Sequence, residues 1–99
     1  MISKILLACS GGFSTSILVQ KMKEAALAKG MDIEILAVAE DNIESHLDAD
    51  VVLLGPQIGH RLDDLNDELD IPVFVINSID YGMMNGENVL NFVLSELES

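Results

Sequence analysis

The sequence predicts an α/β domain with three layers, in which an open sheet of four parallel strands carries helices on both faces. Four short apolar runs bounded by turn residues alternate with segments of helical periodicity, as in strands joined by right-handed helical crossovers. A chain of 99 residues is long enough for one hydrophobic core and too short for two. Its composition is 49% hydrophobic but only 4% aromatic. We therefore expect residues 1–99 to fold as a single domain around an aliphatic core.

The first predicted unit is a buried strand followed by a long helix. Residues 5–8 form a continuous apolar run, as in a parallel strand covered on both faces, and Gly11-Gly12 follows as a turn. Helical spacing of apolar residues then extends from Ser14, a favourable N-cap, to Lys29. We expect Gly30 to end this helix.

The next predicted elements are an edge strand and a short helix. Residues 33–37 alternate in the manner of a strand that lies nearer the edge of the sheet than the first. Its inward-facing residues are expected to be Ile33, Ile35 and Ala37. Residues 42–47 are expected to form a short helix.

The second half of the chain predicts two further pairs of a strand and a helix. Residues 51–54 are entirely apolar and stop at Gly55-Pro56, and residues 73–76 repeat the strand pattern. An amphipathic helix follows each strand, and the last one is expected to start at Asn85-Gly86-Glu87. The apolar positions of the two helices are Ile58, Leu62, Leu65 and Leu69, then Val89, Leu90, Val93, Leu94 and Leu97.

This topology directs attention to the turns at one edge of the sheet. In an open parallel sheet, ligands bind beyond the carboxyl ends of the strands, at the point where the direction of winding reverses. The turns after the first and third strands, residues 9–16 and 55–57, are therefore the candidate site. Gln57 is a candidate neighbour of that site, as are Asp80 and Tyr81 after the fourth strand.

The turn after the first strand has the composition of an anion-binding loop. Cys9, the only cysteine, stands at the entrance of a stretch rich in glycine and hydroxyl residues. Glycines let successive amides point at one centre, the helix N-terminus adds partial positive charge, and hydroxyls donate further hydrogen bonds. We predict a phosphatase-like P-loop with Cys9 as the catalytic nucleophile, because such amides favour the thiolate. The predicted phosphate-binding residues are Ser10, Gly11, Gly12, Phe13, Ser14, Thr15 and Ser16.

Other interpretations of these residues compete with this one. Cys9 could be a small buried residue at a strand end, and Gly11-Gly12 an ordinary tight turn. Low-molecular-weight tyrosine phosphatases also place a cysteine before a phosphate loop, but their C-x5-R signature has Thr15 at the arginine position here. Without a guanidinium clamp the loop favours holding a phosphoryl group over rapid hydrolysis. His46 and His60 are further conceivable acceptors, although lone histidines on helices are usually surface or packing residues.

The charge of the chain restricts its partners. It has 17 acidic against 5 basic residues, a formal net charge of -12, which repels phosphate backbones and anionic headgroups. We therefore expect no binding to nucleic acid or to a membrane surface. One cysteine and two distant histidines predict no metal site, and no cofactor is needed. No apolar run is long enough to span a bilayer, and the eight residues before Cys9 are too few for the signal peptide of a lipoprotein. We therefore expect a cytoplasmic protein. We also expect it to be monomeric.

Three stretches of the sequence, taken together, resemble one known family. They are Cys9-Ser10-Gly11-Gly12-Phe13-Ser14-Thr15-Ser16, then Asp50-Val51-Val52-Leu53-Leu54-Gly55-Pro56-Gln57-Ile58, and Tyr81-Gly82 followed by Gly86. The family is that of the IIB components of the lactose, cellobiose and chitobiose branch of the bacterial sugar phosphotransferase system, and the resemblance covers essentially the whole chain. One departure is Phe13, where relatives often carry methionine, a residue that is also bulky and apolar.

The resemblance implies a function. Cys9 would accept a phosphoryl group from a histidine of the IIA protein and pass it to a sugar entering through the membrane permease IIC, with residues 10–16 as the phosphate cradle. The sugar implied is a β-linked disaccharide of the cellobiose or chitobiose type. Two alternatives remain open, an enzyme like the small phosphatases and arsenate reductases, and a non-catalytic acidic binding module.

Overall fold

The four predicted strands form one parallel sheet in a computed structural model of the chain, which describes residues 2–9 and 13–98. The strands are β1 (Lys4–Cys9), β2 (Glu34–Ala39), β3 (Val51–Leu54) and β4 (Val73–Val75). Their order across the sheet is β2-β1-β3-β4, and every neighbouring pair is parallel. The chain thus adds β2 on one side of β1 and then adds β3 and β4 on the other. The direction of winding reverses between β1 and β3, as predicted.

Helical segments cover both faces of this sheet. They are α1 (Phe13–Ala28), α2 (Leu62–Glu68), α3 (Ser78–Gly82), α4 (Gly86–Glu98) and two 3₁₀ segments, Glu40–His46 and Pro56–Arg61. Ile5 and Leu7 of β1 lie in a core with residues of α1 and α4. Leu6 and Ala8 of the same strand point to the opposite face, into a core with residues of the 3₁₀ segments and α2. The predicted three-layer α/β fold is therefore confirmed.

The two central strands are buried along their whole length. All six residues of β1 and all four of β3 are buried, which explains why both read as unbroken apolar runs in the sequence apart from Lys4. Burial of one leucine or isoleucine side chain contributes about 1.5–3 kcal/mol. These two strands consequently anchor the residues that follow their carboxyl ends.

The boundaries of α1 agree with prediction at its end and differ at its start. The helix begins at Phe13, so Ser14 lies within the first turn and the expected N-cap at Ser14 is wrong. Side-chain type indicates a cap only approximately, because Phe13 can adopt helical dihedral angles as readily as its neighbours. At the other end, Gly30 has a φ of 71°, and Met31 donates its amide to the carbonyl of Ala26 at 2.9 Å. This is the left-handed stop expected of a glycine after a helix.

β2 is an edge strand as predicted, but its buried face was only partly predicted. Ile35 is fully buried, whereas Ala37 is exposed, so the expected inward position of Ala37 is wrong. Leu36 and Val38, on the other face, pack against the second core. Because helical segments cover both faces of the sheet, strict alternation of apolar and polar residues does not identify the inward face of this strand.

The helical segments after β2, β3 and β4 differ from prediction in type and number. The short helix expected at 42–47 is the 3₁₀ segment Glu40–His46, and the helix expected from Ile58 is split at that residue, whose φ of -117° and ψ of 23° are not helical. All four predicted apolar residues of that region nevertheless pack in the second core.

The helix α3 was not predicted, since five residues leave too short a pattern to detect. Asn77 caps α3, its Oδ1 accepting from the amides of Ile79 and Asp80.

The carboxylate of Asp50 fixes the start of β1 beside β3. Its Oδ2 accepts hydrogen bonds from the amide of Ser3 at 2.6 Å, the hydroxyl of Ser3 at 3.1 Å and the amide of Lys4 at 3.0 Å. The pairing of the two strands runs from Ile5 opposite Val51 to Ala8 opposite Leu54. The residues that follow the two strands are therefore held level with one another.

The helices α1 and α4 cross at a position where only glycine fits. Gly86 is buried, and a methyl group placed on it would lie 2.5 Å from the carbonyl carbon of Lys21 and from the amide nitrogen of Met22. Real Cβ atoms essentially never approach backbone atoms so closely. Glycine at this position allows the two helix backbones to come into contact on the α1 face of the sheet.

We expect Gly86→Ala to destabilise the protein by about 1–3 kcal/mol, because the added methyl group forces α4 away from α1. Gly82→Ala is the matched control, since a methyl group there has no atom within 4 Å. It should be neutral or slightly stabilising, because alanine favours a helix. Urea unfolding of the three proteins measures the difference, and equal stability of Gly86→Ala and wild type would contradict the described contact.

A second prediction concerns the pH dependence of stability. Hydrogen bonds from the amides of Ser3 and Lys4 hold the pKa of Asp50 below its ordinary value of 3.8. A lowered pKa in the folded state means that ionised Asp50 stabilises the fold above about pH 4, and that this contribution disappears as the pH falls through the lowered value.

Asp50→Asn should therefore lower the free energy of unfolding at pH 7 by about 1 kcal/mol, a value reduced because solvent screens this half-exposed site. The gap between variant and wild type should close as the pH falls from 5 to about 2. Denaturant unfolding across that range measures it, with Asp67→Asn on the exposed side of α2 as the control for loss of one charge. A gap that stays constant with pH would argue against an ionised clamp.

Candidate functional site

Cys9 occupies the position on which the site depends. It is the last residue of β1 and its side chain is only 4% exposed. By the alternation of the strand, Cys9 lies on the same face as Ile5 and Leu7, the face covered by α1 and α4. The site prediction for Ser10, Gly11 and Gly12 falls outside the described residues.

The amino end of α1 follows Cys9 closely in sequence. Phe13, Ser14 and Thr15 form its first turn, and Ser16 comes next with an exposed side chain. The first amides of a helix lack acceptors within the helix, and the helix dipole places partial positive charge there. No acidic residue stands in this first turn. A helix of 16 residues thus begins four residues after Cys9 in the sequence, and helix N-termini are common places for proteins to bind phosphate.

Gly55 brings the turn after β3 against Cys9. Its amide donates a hydrogen bond to the carbonyl of Ala8 at 2.9 Å. A methyl group placed on Gly55 would lie 3.7 Å from Cβ of Cys9 and 2.9 Å from Oε1 of Gln57. The turn after β3 therefore meets the end of β1 at the point of reversed winding, with Gln57 beside it.

The cationic side chains lie at the start of β1, on and after α1, and after β3. The five of them are Lys4, Lys21, Lys23, Lys29 and Arg61. Lys4 begins the strand that Cys9 ends, and the lysines of α1 start about 12 Å along the helix from its first residue. Arg61 lines a cavity of about 170 Å³ together with the carboxylates of Asp41, Glu44 and Glu68. Lys4 and Arg61 therefore stand among carboxylates, and the lysines of α1 lie beyond its first turn.

The two histidines occupy different places. Nδ1 of His46 lies 3.4 Å from Nζ of Lys4, at the amino end of the sheet and thus opposite Cys9. Lys4 is buried and pairs with Asp48 at 2.9 Å, and this hydrogen bond lowers the pKa of Asp48. His60 lies exposed in the 3₁₀ segment after β3. His46 therefore belongs to a polar cluster at the far edge of the sheet.

Asp80 and Tyr81 lie in α3, after the fourth strand. Oδ1 of Asp80 accepts a hydrogen bond from Nδ2 of Asn88 at 3.2 Å, which ties α3 to α4. Tyr81 is buried in the core between the sheet and helices α1 and α4. These contacts indicate a packing role for both residues, and an effect on catalysis stays a prediction.

Gly55 is the site residue whose role the sequence did not disclose. In the sequence it marked the end of a strand, whereas in the structure its amide binds the carbonyl of Ala8 and a Cβ atom on it would contact Cys9. A signal was present in principle, since the reversal of winding places the first and third strands side by side. What the sequence lacked was the register that sets Gly55 level with Cys9.

Two kinds of feature are absent from residues 2–9 and 13–98. No group of three or more histidine, cysteine or acidic side chains is arranged to hold a metal ion in this part of the chain. No helix within the same ranges is long and apolar enough to cross a membrane.

Comparison with known proteins identifies relatives over nearly the full chain. The family model described as "PTS system, Lactose/Cellobiose specific IIB subunit" matches residues 4–92. The oligo-beta-mannoside-specific EIIB component of Bacillus subtilis is 46% identical, over 93% of each chain. The galactose-specific EIIB component of Lactococcus lactis subsp. cremoris and the cellobiose-specific one of L. lactis subsp. lactis are each 42% identical, over 87% of this chain and 88% of theirs.

Two solved structures share the fold. The cellobiose-specific phosphotransferase IIB component of Borrelia burgdorferi superposes with a TM-score of 0.81 at 41% identity, covering 97% of this chain and 92% of its own. The lactose-specific IIB domain of Streptococcus pneumoniae superposes with a TM-score of 0.83 at 18% identity, covering 98% and 99%. IIB components are phosphotransferases that transfer a phosphoryl group to sugar and act with IIA and IIC partners. By both sequence and fold, this chain belongs to the lactose/cellobiose-specific IIB family of the sugar phosphotransferase system.

Proposed function

We propose that the chain is a cytoplasmic phosphoryl carrier that uses Cys9 as its acceptor. It receives a phosphoryl group from a phosphohistidine of a IIA protein and passes it to a sugar held by a IIC permease. The observation that carries this proposal is the position of Cys9, at the end of a buried strand, against Gly55 and directly before the helix α1. This is the only thiol of the chain, and it lies where an open parallel sheet binds its ligands.

The first chemical step is an in-line displacement at phosphorus. The Cys9 thiolate attacks, a bond between Sγ and phosphorus forms, and the bond between phosphorus and the histidine nitrogen of the donor breaks. The electron pair of the broken bond remains on that nitrogen. Amides of residues 10–16 donate to the equatorial oxygens, so that negative charge is stabilised by groups that need no reorganisation.

The second step returns Cys9 to its starting state. A hydroxyl oxygen of the sugar attacks phosphorus, the bond to Sγ breaks, and the thiolate leaves while the hydroxyl proton passes to a base or to solvent. The protein is thus unchanged after one complete cycle. No metal or redox step is needed for the electron balance.

The absence of an arginine at the C-x5-R position favours a carrier over a phosphatase. Thr15 stands where such a phosphatase has its arginine, and Lys4 and Arg61 stand among carboxylates. A guanidinium clamp stabilises the transition state of attack by water as well as by other nucleophiles. A cradle of neutral amides holds the phosphoryl group while giving less assistance to hydrolysis.

The sugar is proposed to be a β-linked disaccharide of the cellobiose or chitobiose type. Two of the three relatives compared are named for β-linked sugars, oligo-beta-mannoside and cellobiose, and the third is named for galactose. Contact with the sugar itself belongs mainly to the permease in this scheme. Phosphorylation of the sugar by membranes containing the cognate IIC, tested with cellobiose, chitobiose, mannobiose and galactose, decides between these classes.

Replacement of Cys9 by serine should abolish phosphorylation, because a serine hydroxyl at neutral pH is a far weaker nucleophile than a thiolate. Wild type and Cys9→Ser are incubated with phosphoenolpyruvate, the general phosphotransferase proteins and a IIA partner, and their intact masses are measured. We expect one phosphoryl group on wild type and none on Cys9→Ser. His60→Gln serves as a control for the exposed histidine of the same edge and should be phosphorylated like wild type.

Other outcomes favour the two alternatives. If His60→Gln gained no phosphoryl group while Cys9→Ser still gained one, His60 would be the acceptor. Rapid turnover of p-nitrophenyl phosphate or arsenate by wild type would indicate an enzyme of the phosphatase or arsenate-reductase type. A wild type that binds IIA but never gains mass, beside a IIB control that does, would indicate a binding module.

A further inference from the structure

The side chain of Gln57 is exposed, and its amide group lies beside Gly55, close to the end of β1. Its Oε1 lies 2.9 Å from the point that a Cβ atom on Gly55 would occupy, and that same point is 3.7 Å from Cβ of Cys9. The separation between the Gln57 amide oxygen and Cβ of Cys9 is therefore at most about 6.6 Å. A phosphoryl group attached to Sγ extends the cysteine side chain into this same range.

We propose that Gln57 donates a side-chain hydrogen bond to the phosphoryl group during transfer to and from Cys9. This inference rests on the proposed function and adds to it a contact from the β3 side of the site. The terminal amide of glutamine carries both an acceptor oxygen and two N–H donors, and rotation about its last bond exchanges them. The same position can therefore present an N–H group to an equatorial oxygen.

The backbone of the turn is well placed to hold this amide. Gly55 donates to the carbonyl of Ala8 at 2.9 Å, and its own carbonyl accepts from the amide of Ile58 at 3.0 Å. Pro56 fixes one dihedral angle between them, and Ile58 is buried in the second core. Only the side-chain torsions of Gln57 remain to be ordered when a phosphoryl group arrives.

The absence of a side chain on Gly55 is part of the arrangement. A methyl group there would lie within van der Waals distance of Cys9 and closer still to Oε1 of Gln57. Glycine leaves that space open. The amide of Gln57 can therefore lie beside the buried backbone of Gly55 without steric conflict.

The side-chain amide of Gln57 is an uncharged hydrogen-bond donor, which suits a phosphoryl group that the protein must first accept and then release. Amides of α1 and its loop approach the phosphoryl group from one strand of the sheet, and Gln57 approaches it from the neighbouring strand. An amide donor stabilises the charge that spreads over the equatorial oxygens, without the strong ion pair that a lysine or arginine would form in the phosphorylated state. Gln57 thereby supports transfer in both directions.

The test uses two substitutions of similar size and shape. Gln57→Met removes the donor and keeps the length of the side chain, whereas Gln57→Glu places a carboxylate beside the phosphoryl group. Gln20→Met and Gln20→Glu are matched controls, because Gln20 is the other glutamine of the chain and is exposed on α1, about 10 Å along the helix from its start. The Glu variants of both sites carry the same net charge.

Rapid-quench measurement of transfer from phosphorylated IIA gives the single-turnover rate at saturating donor and the half-saturating donor concentration. We expect the saturating rate to fall about tenfold in Gln57→Met, as for loss of one hydrogen bond to a charged group. It should fall about a hundredfold in Gln57→Glu, where two negative groups repel one another. The half-saturating concentration of Gln57→Met should stay close to that of wild type. Both Gln20 variants should keep the wild-type rate and half-saturating concentration. The thermal stability of all four variants should also stay close to that of wild type.

The outcomes separate this inference from the proposed function. Wild-type rates in both Gln57 variants, with normal phosphorylation of Cys9, would overturn the role of Gln57 and leave the carrier function intact. The same holds if Gln57→Glu slows transfer no more than Gln20→Glu does. A change confined to the half-saturating concentration would assign Gln57 to partner docking and likewise overturn it. Wild type that gains no phosphoryl group would instead reject the carrier function itself.

Discussion

The other parts of the structure depend on the burial of β1 on both faces of the sheet. The strand lies between β2 and β3 in the sheet, and its side chains alternate between the two hydrophobic cores. Cys9 ends the strand, so the position of the thiol is set by the packing of the residues before it. Asp50 holds the start of the same strand, at the opposite edge of the sheet, through the amides of Ser3 and Lys4. The register between β1 and β3 then places Gly55 level with Cys9 at the carboxyl edge of the sheet.

The electrostatics of the site follow from backbone groups more than from side chains. A chain with a net charge of -12 would be expected to repel a phosphoryl group, and its cationic side chains stand elsewhere or among carboxylates. The amino end of α1 compensates locally, since its amides and dipole act over the first turn while the acidic side chains are dispersed over the surface. In the proposed function, this arrangement would let an acidic protein hold a phosphate group and still release it to a second acceptor.

The stabilising contacts described above lie away from the carboxyl edge of the sheet, where Cys9 stands. The closest approach of two helices, at Gly86 against Lys21 and Met22, lies on the face of the sheet and not at its carboxyl edge. The clamp of Asp50 and the cluster of Lys4, His46 and Asp48 lie at the amino edge. Near the carboxyl edge lie the start of α1, the two 3₁₀ segments and the short helix α3. Substitutions that weaken the distant contacts should consequently affect stability before they affect transfer.

The sequence by itself determined the fold class, the strand positions, the glycine at the end of α1 and the edge of the sheet where the candidate site lies. These features depend on local properties, namely apolar runs, helical periodicity and the conformational freedom of Gly30. The comparisons established the family that the motifs at residues 9–16 and 50–58 had indicated. Tertiary structure alone decided which face Ala37 takes, where the helical region at Ile58 breaks, that α3 forms, and how closely Gly55 and Gln57 approach Cys9. Each of these depends on contacts between residues distant in sequence, on strand register and on how closely two backbones approach, and local pattern carries no information about such distances.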